Sequence, residues 1–450
     1  RKAKRHKVSL LPPTGRAAKD VPLNSGSPAY TIHRRIYREK SFSGVEGQFN
    51  LNDNLYTDTL FMVDEASMIA NMGLGGMSFG SGCLLDDLVH FVYQGRNDRL
   101  LLIGDKAQLP PVGEEESPAL HAAMLEGYGL KVYECDLNEV LRQSEESGIL
   151  YNATMIRQMI THDDITQLPK IHFAGYSDIK PMPGAELIEA LADSYHHVGL
   201  DDTIVVTRSN KRANIFNQGI RNMVLDREEE LSQGDILMIV KNNYYWMEEE
   251  RKKIKEKEIE ERRVKSEGTE SGTATHKVQS SKFQVQSNDI PAFLANGDRA
   301  KVLKVRRRID LYGFRFATLL LQFPDYDNYE LEATVLLDTL TSEAPALTHE
   351  QQEQLFHQIE EDYQDIPLKA DRMKAIRQDQ FFNALQVKFA YAVTCHKAQG
   401  GQWAHVYVDQ GYMTDDMLNP DYIHWLYTAF TRATEMLFLV NWPETQTVQC

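Results

Sequence analysis

An apolar run of strand length at residues 60–63 ends abruptly in two adjacent carboxylates, Asp64 and Glu65. Successive side chains of a strand point to opposite faces, so these two carboxylates diverge where the strand stops. One of them is then placed to hold a hydrated Mg²⁺ while the other orients a water molecule, a pairing that nucleotide hydrolysis requires. A buried strand that runs into an acidic turn is the alternative interpretation.

A second strand-to-loop transition begins at residues 100–103 and continues into the loop that carries Gly104, Asp105 and Gln108. Four consecutive aliphatic residues suit a parallel strand that is buried on both faces. Asp105 and Gln108 are then expected at the carboxyl end of a strand next to the first one, the edge where open α/β sheets bind ligands. Two such loops on neighbouring strands predict a bound phosphate.

The length of 450 residues suggests roughly two to four domains. No apolar run approaches the roughly 20 residues that span a membrane, and no secretory signal is visible. The four cysteines lie far apart without a Cys-x-x-Cys pair, so we expect neither zinc nor a disulfide framework, and a cytoplasmic location. The net charge of −16 argues against wholesale wrapping by nucleic acid but leaves room for a local basic channel.

Two cationic segments precede the carboxylate strand. Residues 12–19 place a hydroxyl, a glycine and two cations where a first strand passes into a helix, and helix amino ends bind phosphate. Residues 31–35 form the second segment, which contains His33. Each segment alone is more often a solvated helix face than a nucleic-acid contact. Residues 40–59 predict a long loop or hairpin whose aromatic side chains either stack on bases or simply pack.

The hydrophobic and charge patterns change several times in the second half of the chain. A buried strand is predicted to end in the polar residues Thr207 and Asn210. The strands expected after it, at 300–305, 314–322 and 331–337, are enough for a small β-barrel. Residues 247–265 predict an exposed helix held by i,i+4 ion pairs, and residues 266–287 a flexible insert. Residues 348–382 are largely helical, and an α/β pattern then returns with strands at 385–391, 406–408 and 437–440. We expect one buried sheet to contain Ile204 and Val206 together with Phe389, Tyr391, Val406 and Val408, because their apolar runs alternate with helical segments as in βαβ units.

Two further polar clusters follow late strands and helices. The first reads Thr394-x-His396-Lys397-x-Gln399-Gly400, and the second reads Tyr427-x-Ala429-x-Thr431-Arg432-Ala433 on a predicted helix. An arginine that reaches a γ-phosphate across a domain cleft stabilises transition-state charge, and its removal typically costs about 10³–10⁵ in rate. The alternative for Arg432 is an exposed helix surface. With either interpretation we expect the loss of Arg432 to leave folding nearly intact.

In order and spacing, these segments resemble the signature motifs of superfamily 1 DNA helicases, and most closely those of the RecD-like branch that includes the phage Dda helicase. The resemblance covers nearly the whole chain. It depends most on the two clusters above and on Gly104-Asp105-x-x-Gln108-Leu109-Pro110-Pro111-Val112.

The resemblance implies an α/β fold with two RecA-like parallel-sheet domains, the first incomplete, and an SH3-like β-barrel inserted in the second. The implied boundaries are 1–145 for the first domain, 146–233 with 383–450 for the second, 234–340 for the barrel with its flexible charged insert 247–288, and 341–382 for a helical segment. Residues 40–59 match the β-hairpin pin at which the family splits a duplex.

The resemblance also implies roles for individual residues. Asp64 would hold Mg²⁺ and Glu65 would activate the attacking water. Gln108 would sense the γ-phosphate of ATP, and Arg142 and Arg432 would supply a cationic clamp. The other nucleotide-binding positions are Asp105 and Gly400. The positions that line the single-strand track are Thr14, Arg16, His33, Thr207, Asn210, Thr394 and His396.

One departure from the family is serious, because no G-x-x-x-x-G-K-[ST] phosphate loop occurs in these 450 residues. The family carries that loop upstream of residues 13–16, so we expect this polypeptide alone to hydrolyse ATP poorly or not at all, and the intact protein to be the enzyme. The implied function is ATP-driven, 5′-to-3′ translocation of a monomer on single-stranded DNA and at single-strand/duplex junctions, in repair, recombination or replication. The alternative is a non-catalytic module that binds single-stranded nucleic acid.

Overall fold

The computed structural model describes residues 7–12, 31–43, 46–72, 80–137, 146–163, 166–267 and 293–448. The candidate residues Thr14, Arg16 and Arg142 lie outside these ranges. The strands are β1 (Lys7–Leu10), β2 (Tyr37–Ser43), β3 (Glu46–Leu51), β4 (Thr59–Val63), β5 (Arg99–Leu102), β6 (Ile179–Met182), β7 (Thr203–Thr207), β8 (Ile236–Ile239), β9 (Arg299–Leu311), β10 (Phe314–Phe323), β11 (Tyr329–Leu336), β12 (Leu385–Phe389), β13 (Ala392–Thr394), β14 (Trp403–Asp409) and β15 (Ala433–Val440).

The α-helices differ widely in length, from one turn to 23 residues. They are α1 (Ile32–Ile36), α2 (Leu84–Gln94), α3 (Ala122–Glu126), α4 (Gly148–Thr161), α5 (Leu187–His197), α6 (Asn210–Gly219), α7 (Tyr245–Glu267), α8 (His349–Asp362), α9 (Lys369–Arg377), α10 (Cys395–Ala398) and α11 (Pro420–Phe430). No helix in the described part of the chain is both long enough and apolar enough to cross a lipid bilayer.

The first sheet is parallel and has the order β1-β4-β5. Its core forms where the buried side chains of β4 meet α2, with Phe61 and Phe91 in an edge-to-face contact at 5.9 Å between ring centroids. The prediction that β5 is buried on both faces is wrong, because Leu101 and Ile103 are 41% and 39% exposed. Among the described strands β5 lies at the sheet edge and pairs only with β4, so one of its faces is open.

A β-hairpin precedes β4, in the region where the sequence predicts a loop or hairpin. Its strands β2 and β3 pair antiparallel from Tyr37 to Leu51, so the hairpin begins before residue 40 and its strands end before residue 59. Tyr56, on the return from the hairpin, packs its ring edge-to-face on Phe61 at 5.5 Å and lies 5.4 Å from the guanidinium of Arg35. For this aromatic residue, packing is therefore the correct interpretation.

The second sheet has five parallel strands in the order β13-β7-β14-β15-β6. The prediction that Ile204 and Val206 share a buried sheet with Val406 and Val408 is confirmed, because β7 and β14 pair in that register. The same prediction is wrong for Phe389, which pairs with Leu237 in the barrel. Tyr391 lies between the barrel and this sheet, where its carbonyl accepts the N–H of Val205 at 3.0 Å.

The barrel is closed and has the strand order β10-β11-β12-β8-β9. The predicted fold class, α/β with parallel sheets and a small barrel, is confirmed. The expected boundary at residue 340 is wrong, because β12 comes from residues 385–389. Its parallel pairing with β11 and antiparallel pairing with β8 close the barrel, so the closing strand follows the helices α8 and α9 in the chain.

The charged run after β8 forms α7, in agreement with the sequence pattern. Its first turn is anchored in the core by Trp246 and Met247, which are both buried. Two ion pairs between described side chains of this helix have i,i+3 spacing, Glu249–Lys252 at 2.6 Å and Glu250–Lys253 at 2.7 Å. The predicted flexible insert lies mostly outside the described residues.

Candidate active site

The carboxylate pair directly follows β4. Asp64 is exposed and its Oδ1 accepts the N–H of Glu65 at 2.9 Å. Glu65 adopts a left-handed backbone conformation with φ 52° and ψ 38°, which is uncommon for a residue other than glycine. The chain turns back at once, because the N–H of Ala66 donates to Ile103 O at 2.8 Å. The strand therefore presents both carboxylates at its carboxyl end, as the sequence predicts.

The loop after β5 packs directly on this turn through Gly104. A Cβ atom at position 104 would lie 3.0 Å from Ser67 N and 3.2 Å from Ala66 N. Any side chain there would force the two loops apart, which explains the glycine. The close backbone contact brings the Asp105–Gln108 loop to the same sheet edge as Asp64 and Glu65.

The Asp105–Gln108 loop also touches the second domain. Tyr427 Oη, on α11, donates to Asp105 Oδ2 at 2.7 Å, and Arg157 Nη1, on α4, lies 3.4 Å from the same oxygen. Arg157 donates in turn to Tyr427 Oη at 3.2 Å. Burial first, and then Asp105, raise the pKa of Tyr427 to about 12, so the phenol keeps its proton and donates.

Two further hydrogen bonds fix the next residue of this loop, Leu109. Its N–H donates to Thr428 Oγ1 at 2.8 Å, and its carbonyl accepts from Gln399 Nε2 at 2.9 Å. Thr428 lies on α11, and Gln399 follows α10. One short segment of the first domain is therefore bonded to both elements that carry the late polar clusters.

A cavity of about 230 Å³ lies at this junction. It is lined from the first domain by two of the predicted site residues and from the second domain by α4, α11 and the start of β15. The lining residues are Asp105, Gln108, Ile149, Leu150, Ala153, Thr154, Arg157, Gln402, Tyr427, Thr431, Arg432, Ala433 and Thr434. Gln108 and Arg432, 324 positions apart in sequence (432 minus 108), thus share one cavity.

Arg432 is held by oxygen atoms of its own domain. It is 4% exposed, and its guanidinium donates to Thr428 O at 2.9 Å, to Gly401 O at 3.1 Å and to Thr431 Oγ1 at 3.0 Å. It follows α11 instead of lying on it, since that helix ends at Phe430. The expectation of an exposed helix surface is wrong. Because the guanidinium is buried and hydrogen-bonded, we now expect the loss of Arg432 to destabilise the fold.

Gln108 contributes to the candidate site through its side chain, and Gly400 contributes through its backbone. Gln108 Oε1 is buried and has no hydrogen-bond partner within the part of the chain that the structure describes. Gly400 has φ +73°, a left-handed conformation that favours glycine, and the turn it makes leads directly to the Gly401 carbonyl that binds Arg432. Gly400 thus acts through the backbone, and its Cα does not line the cavity.

Arg157 and Tyr427 were not among the predicted site residues. Desolvation lowers the pKa of Arg157, but Asp105 and Tyr427 together raise it above its usual value. A signal was present in the sequence. Ile149, Ala153 and Arg157 have i,i+4 spacing, so a helical prediction places the arginine on the same face as two apolar residues. All three line the cavity.

The predicted single-strand residues of the second domain lie together at a different edge. Thr394 and Thr207 are paired in register at the ends of β13 and β7, and Asn210 begins α6. Thr207 is completely buried and its hydroxyl donates to Ser209 O at 3.1 Å. A direct ligand contact through this hydroxyl is therefore unavailable, which corrects its predicted role; Thr207 instead shapes the loop.

A narrow crevice next to this edge is lined by Asn210, Thr394 and Lys397 together with Lys388 of β12. Burial first, and then the charge of Lys388, lower the pKa of Lys397 to about 8. His396 is exposed on α10, where desolvation lowers its pKa and the carboxylate of Asp421 opposes that shift. Lys397 belongs to the cluster Thr394-x-His396-Lys397-x-Gln399-Gly400 but was not among the predicted site residues.

His33 lies apart from this edge, on α1 of the first domain. Its ring is 5.7 Å from that of Tyr37, and Tyr37 Oη donates to Asp87 Oδ2 at 2.6 Å. Burial lowers the pKa of His33, while attraction to Asp87 raises it by a smaller amount. His33 therefore packs against the Tyr37–Asp87 pair, and its contact with a single strand stays a prediction.

Asp64 fits a magnesium ion only in combination with a nucleotide. Within the described ranges, no group of three or more His, Cys, Asp or Glu side chains converges as a metal site. Mg²⁺ is commonly bound by one or two carboxylates, with phosphate oxygens and water completing its shell. An exposed carboxylate at the end of β4 suits that arrangement.

Comparison with known protein families finds a match in two parts of the chain. Residues 1–168 match the AAA domain, and residues 389–440 match the UvrD-like helicase C-terminal domain. Among solved structures, Pif1 helicase from Bacteroides in complex with ADP-AlF3 and ssDNA is 12% identical with a TM-score of 0.44, over 100% of this chain and 86% of that one. Pif1 helicase from Candida albicans is 13% identical with a TM-score of 0.43, over 100% and 87% respectively. The two domain matches support the resemblance of this chain to superfamily 1 helicases.

Proposed function

We propose that the protein is an ATP-driven DNA helicase that moves 5′ to 3′ along single-stranded DNA and unwinds duplex ahead of it. The observation that carries the proposal is the cavity in which Gln108 of the first domain meets Arg432 of the second. An amide and a guanidinium from different domains can recognise a γ-phosphate together, and they separate when the domains do.

The carboxylates after β4 and the residues of the cavity would have different roles in ATP hydrolysis. Glu65 would orient the attacking water, and Asp64 would hold Mg²⁺, which neutralises phosphate charge when bound. Arg432 would exchange the carbonyls of Thr428 and Gly401 for phosphate oxygens, a charge-assisted contact stronger than the one it gives up. Arg142 would complete the clamp. Gly400 would position the Gly401 carbonyl, and Asp105 would hold the two domains together through Tyr427.

Single-stranded DNA would cross the carboxyl edge of the second sheet. Asn210, Thr394 and His396 meet there, with Lys397 as a nearby cation. Thr14, Arg16 and His33 would extend the track over the first domain, and the β2–β3 hairpin would serve as the pin that splits the duplex. Leu109 is hydrogen-bonded to Gln399, directly after α10, and to Thr428 on α11, so movement at the nucleotide cavity would be transmitted to this edge.

The test uses a protein in which a phosphate-loop segment precedes this chain, because no G-x-x-x-x-G-K-[ST] occurs in the 450 residues. We expect ATP hydrolysis stimulated by single-stranded DNA, and displacement of a strand from forks that carry a 5′ tail. Forks that carry only a 3′ tail serve as the polarity control. Tight binding of single strands without any stimulated hydrolysis would instead identify a non-catalytic binding module.

The RecD-like branch, and a role in repair, recombination or replication, are part of the same proposal. They are supported by the motif Gly104-Asp105-x-x-Gln108-Leu109-Pro110-Pro111-Val112 and by the barrel between the strands of the second domain. Fork substrates of defined polarity test the branch assignment, since the proposal requires unwinding from a 5′ tail.

A further inference from the structure

We propose that Tyr412, together with Arg208, forms a base-stacking site for the single strand on the second domain. The inference rests on the proposed function and adds a site to it. The ligand is a nucleotide of a single strand. Its base stacks on the phenol ring of Tyr412, and its phosphate lies near the guanidinium of Arg208.

The position of Tyr412 follows from the register of three adjacent strands. Thr394 of β13 pairs with Thr207 of β7, and Thr207 pairs with Asp409 of β14. The three strands therefore end in one row at the carboxyl edge of the sheet. The segments that directly follow β13, β7 and β14 carry His396 (on α10), Arg208 and Tyr412 respectively, so Tyr412 belongs to the same edge as the predicted single-strand residues.

The loop after β14 is held firmly on both sides of Tyr412. Arg212 donates from Nε and Nη2 to the two carboxylate oxygens of Asp409, at 2.9 and 2.8 Å. Gln410 and Met413 are both buried, and Gly411 makes the turn between them with φ +69°. Tyr412 nevertheless is 81% exposed. A fixed backbone thus presents an aromatic ring to solvent, which lowers the ordering cost of binding a ligand there.

Arg208 supplies a cation next to this loop. Its Nη1 lies 2.8 Å from Met413 Sδ, and its guanidinium lies 5.4 Å from the centroid of the Tyr422 ring. The side chain is exposed and held in place by these contacts. An exposed aromatic ring with a nearby cation is the combination that single-strand-binding proteins use, because every base has a π-face and every linkage a phosphate.

Tyr133 provides a matched control. It is also 81% exposed, and a cation, Lys131 Nζ, lies 5.0 Å from its ring centroid. It lies in the first domain between α3 and α4, away from the row that β13, β7 and β14 form. If exposure and a nearby cation were sufficient, both tyrosines would behave alike. The proposal requires that only Tyr412 contributes.

The experiment is a fluorescence-anisotropy titration of a labelled oligo(dT) at fixed salt with the wild type, Tyr412→Ala, Tyr412→Phe and Tyr133→Ala. We expect Tyr412→Ala to weaken binding roughly 5- to 150-fold, the range for loss of one stacked base. Tyr412→Phe keeps the ring and is expected to bind like the wild type, as is Tyr133→Ala. Circular dichroism of each variant checks that folding is unchanged.

Two further measurements separate stacking from charge. An oligonucleotide of abasic sugar-phosphate units removes the bases, so Tyr412→Ala and the wild type should bind it equally. The slope of log K against log salt should be unchanged in Tyr412→Ala. It should become less steep by about 0.7 in Arg208→Gln, because only this variant removes a phosphate contact to the single strand.

The outcomes that overturn the inference are distinct from failure of the proposed function. Unchanged oligo(dT) affinity in Tyr412→Ala, with weakened affinity in Asn210→Ala, refutes the stacking site and leaves single-strand binding at this edge intact. Equal weakening in Tyr412→Ala and Tyr133→Ala also refutes it. Absence of oligo(dT) binding by the wild type refutes the proposed function itself, and the inference with it.

Discussion

Replacing Arg432 by alanine tests whether the buried guanidinium both supports the fold and serves the reaction. Each hydrogen bond to a charged group contributes about 1.5–3 kcal/mol, and a buried carbonyl left without its donor costs about 1–3 kcal/mol. Arg432 contacts Thr428 O and Gly401 O at 4% exposure, but its removal also relieves the desolvation of a cation. We therefore expect the free energy of unfolding of the second domain to fall by about 2–4 kcal/mol.

The assay is urea unfolding followed by tryptophan fluorescence. Three of the four tryptophans, Trp403, Trp425 and Trp442, are buried in the second domain, so the signal reports on the region that Arg432 supports. With a slope of about 1–3 kcal/mol per molar urea, the midpoint should fall by roughly 1 M or more. The control is Arg208→Ala, an exposed arginine of the same domain, for which we expect a loss of about 0–1 kcal/mol.

Arg432→Lys separates the structural from the catalytic role. Lysine keeps a positive charge but lacks the planar fork that bridges two oxygens. In the protein with a phosphate loop, turnover should fall by about 10³ or more in Arg432→Ala. A loss of stability no greater than that of Arg208→Ala would refute the structural argument. Turnover that survives while single-strand binding collapses would show that Arg432 contacts the strand and not the nucleotide.

Three other variants test separate parts of the site. Glu65→Gln should abolish ATP turnover stimulated by single-stranded DNA while preserving nucleotide binding, and near-normal turnover would remove Glu65 from the water-activating role. Tyr427→Phe should weaken the contact of Asp105 with the second domain by about 1–3 kcal/mol, lowering stimulated turnover; unchanged turnover would show that this contact is not part of the cycle. Burial lowers the pKa of Lys388 to about 8, below its ordinary value of 10.5. The unfolded state therefore binds more protons between pH 8 and 10.5, and stability should rise with pH in that window by on the order of 1–3 kcal/mol. Urea midpoints that rise equally in Lys388→Met would assign the dependence to other groups.

Much of the architecture can be predicted from the sequence because it depends on local patterns. The apolar run before Asp64 predicts a strand that stops where polarity begins, and β4 ends at Val63. The alternation and spacing of residues 300–337 predict strands of the barrel, which β9, β10 and β11 form. The order of polar clusters after strands predicts a parallel α/β fold, since parallel strands bring their carboxyl ends to one edge.

The tertiary structure alone decides which of these segments meet. Phe389 has the pattern of any buried strand residue, and only the pairing of β12 with β8 and β11 assigns it to the barrel. Leu101 is aliphatic like its neighbours, yet its exposure depends on β5 lying at the edge of the described sheet. The identity of a residue does not encode the long-range register that determines its surroundings.

Within the candidate site, too, the sequence identifies residues but does not determine which of them lie together. The motifs identify Gln108 and Arg432 as functional residues, but their shared cavity arises from the packing of α4 and α11 against the Asp105–Gln108 loop. Arg157 belongs to none of the motifs, yet it lines the same cavity, because the face of helix α4 that carries it is directed toward the cavity. Local sequence determines which side chains are present at each strand end. Burial and hydrogen bonding between distant segments decide which of them are available to a ligand, as the buried hydroxyl of Thr207 and the exposed ring of Tyr412 show.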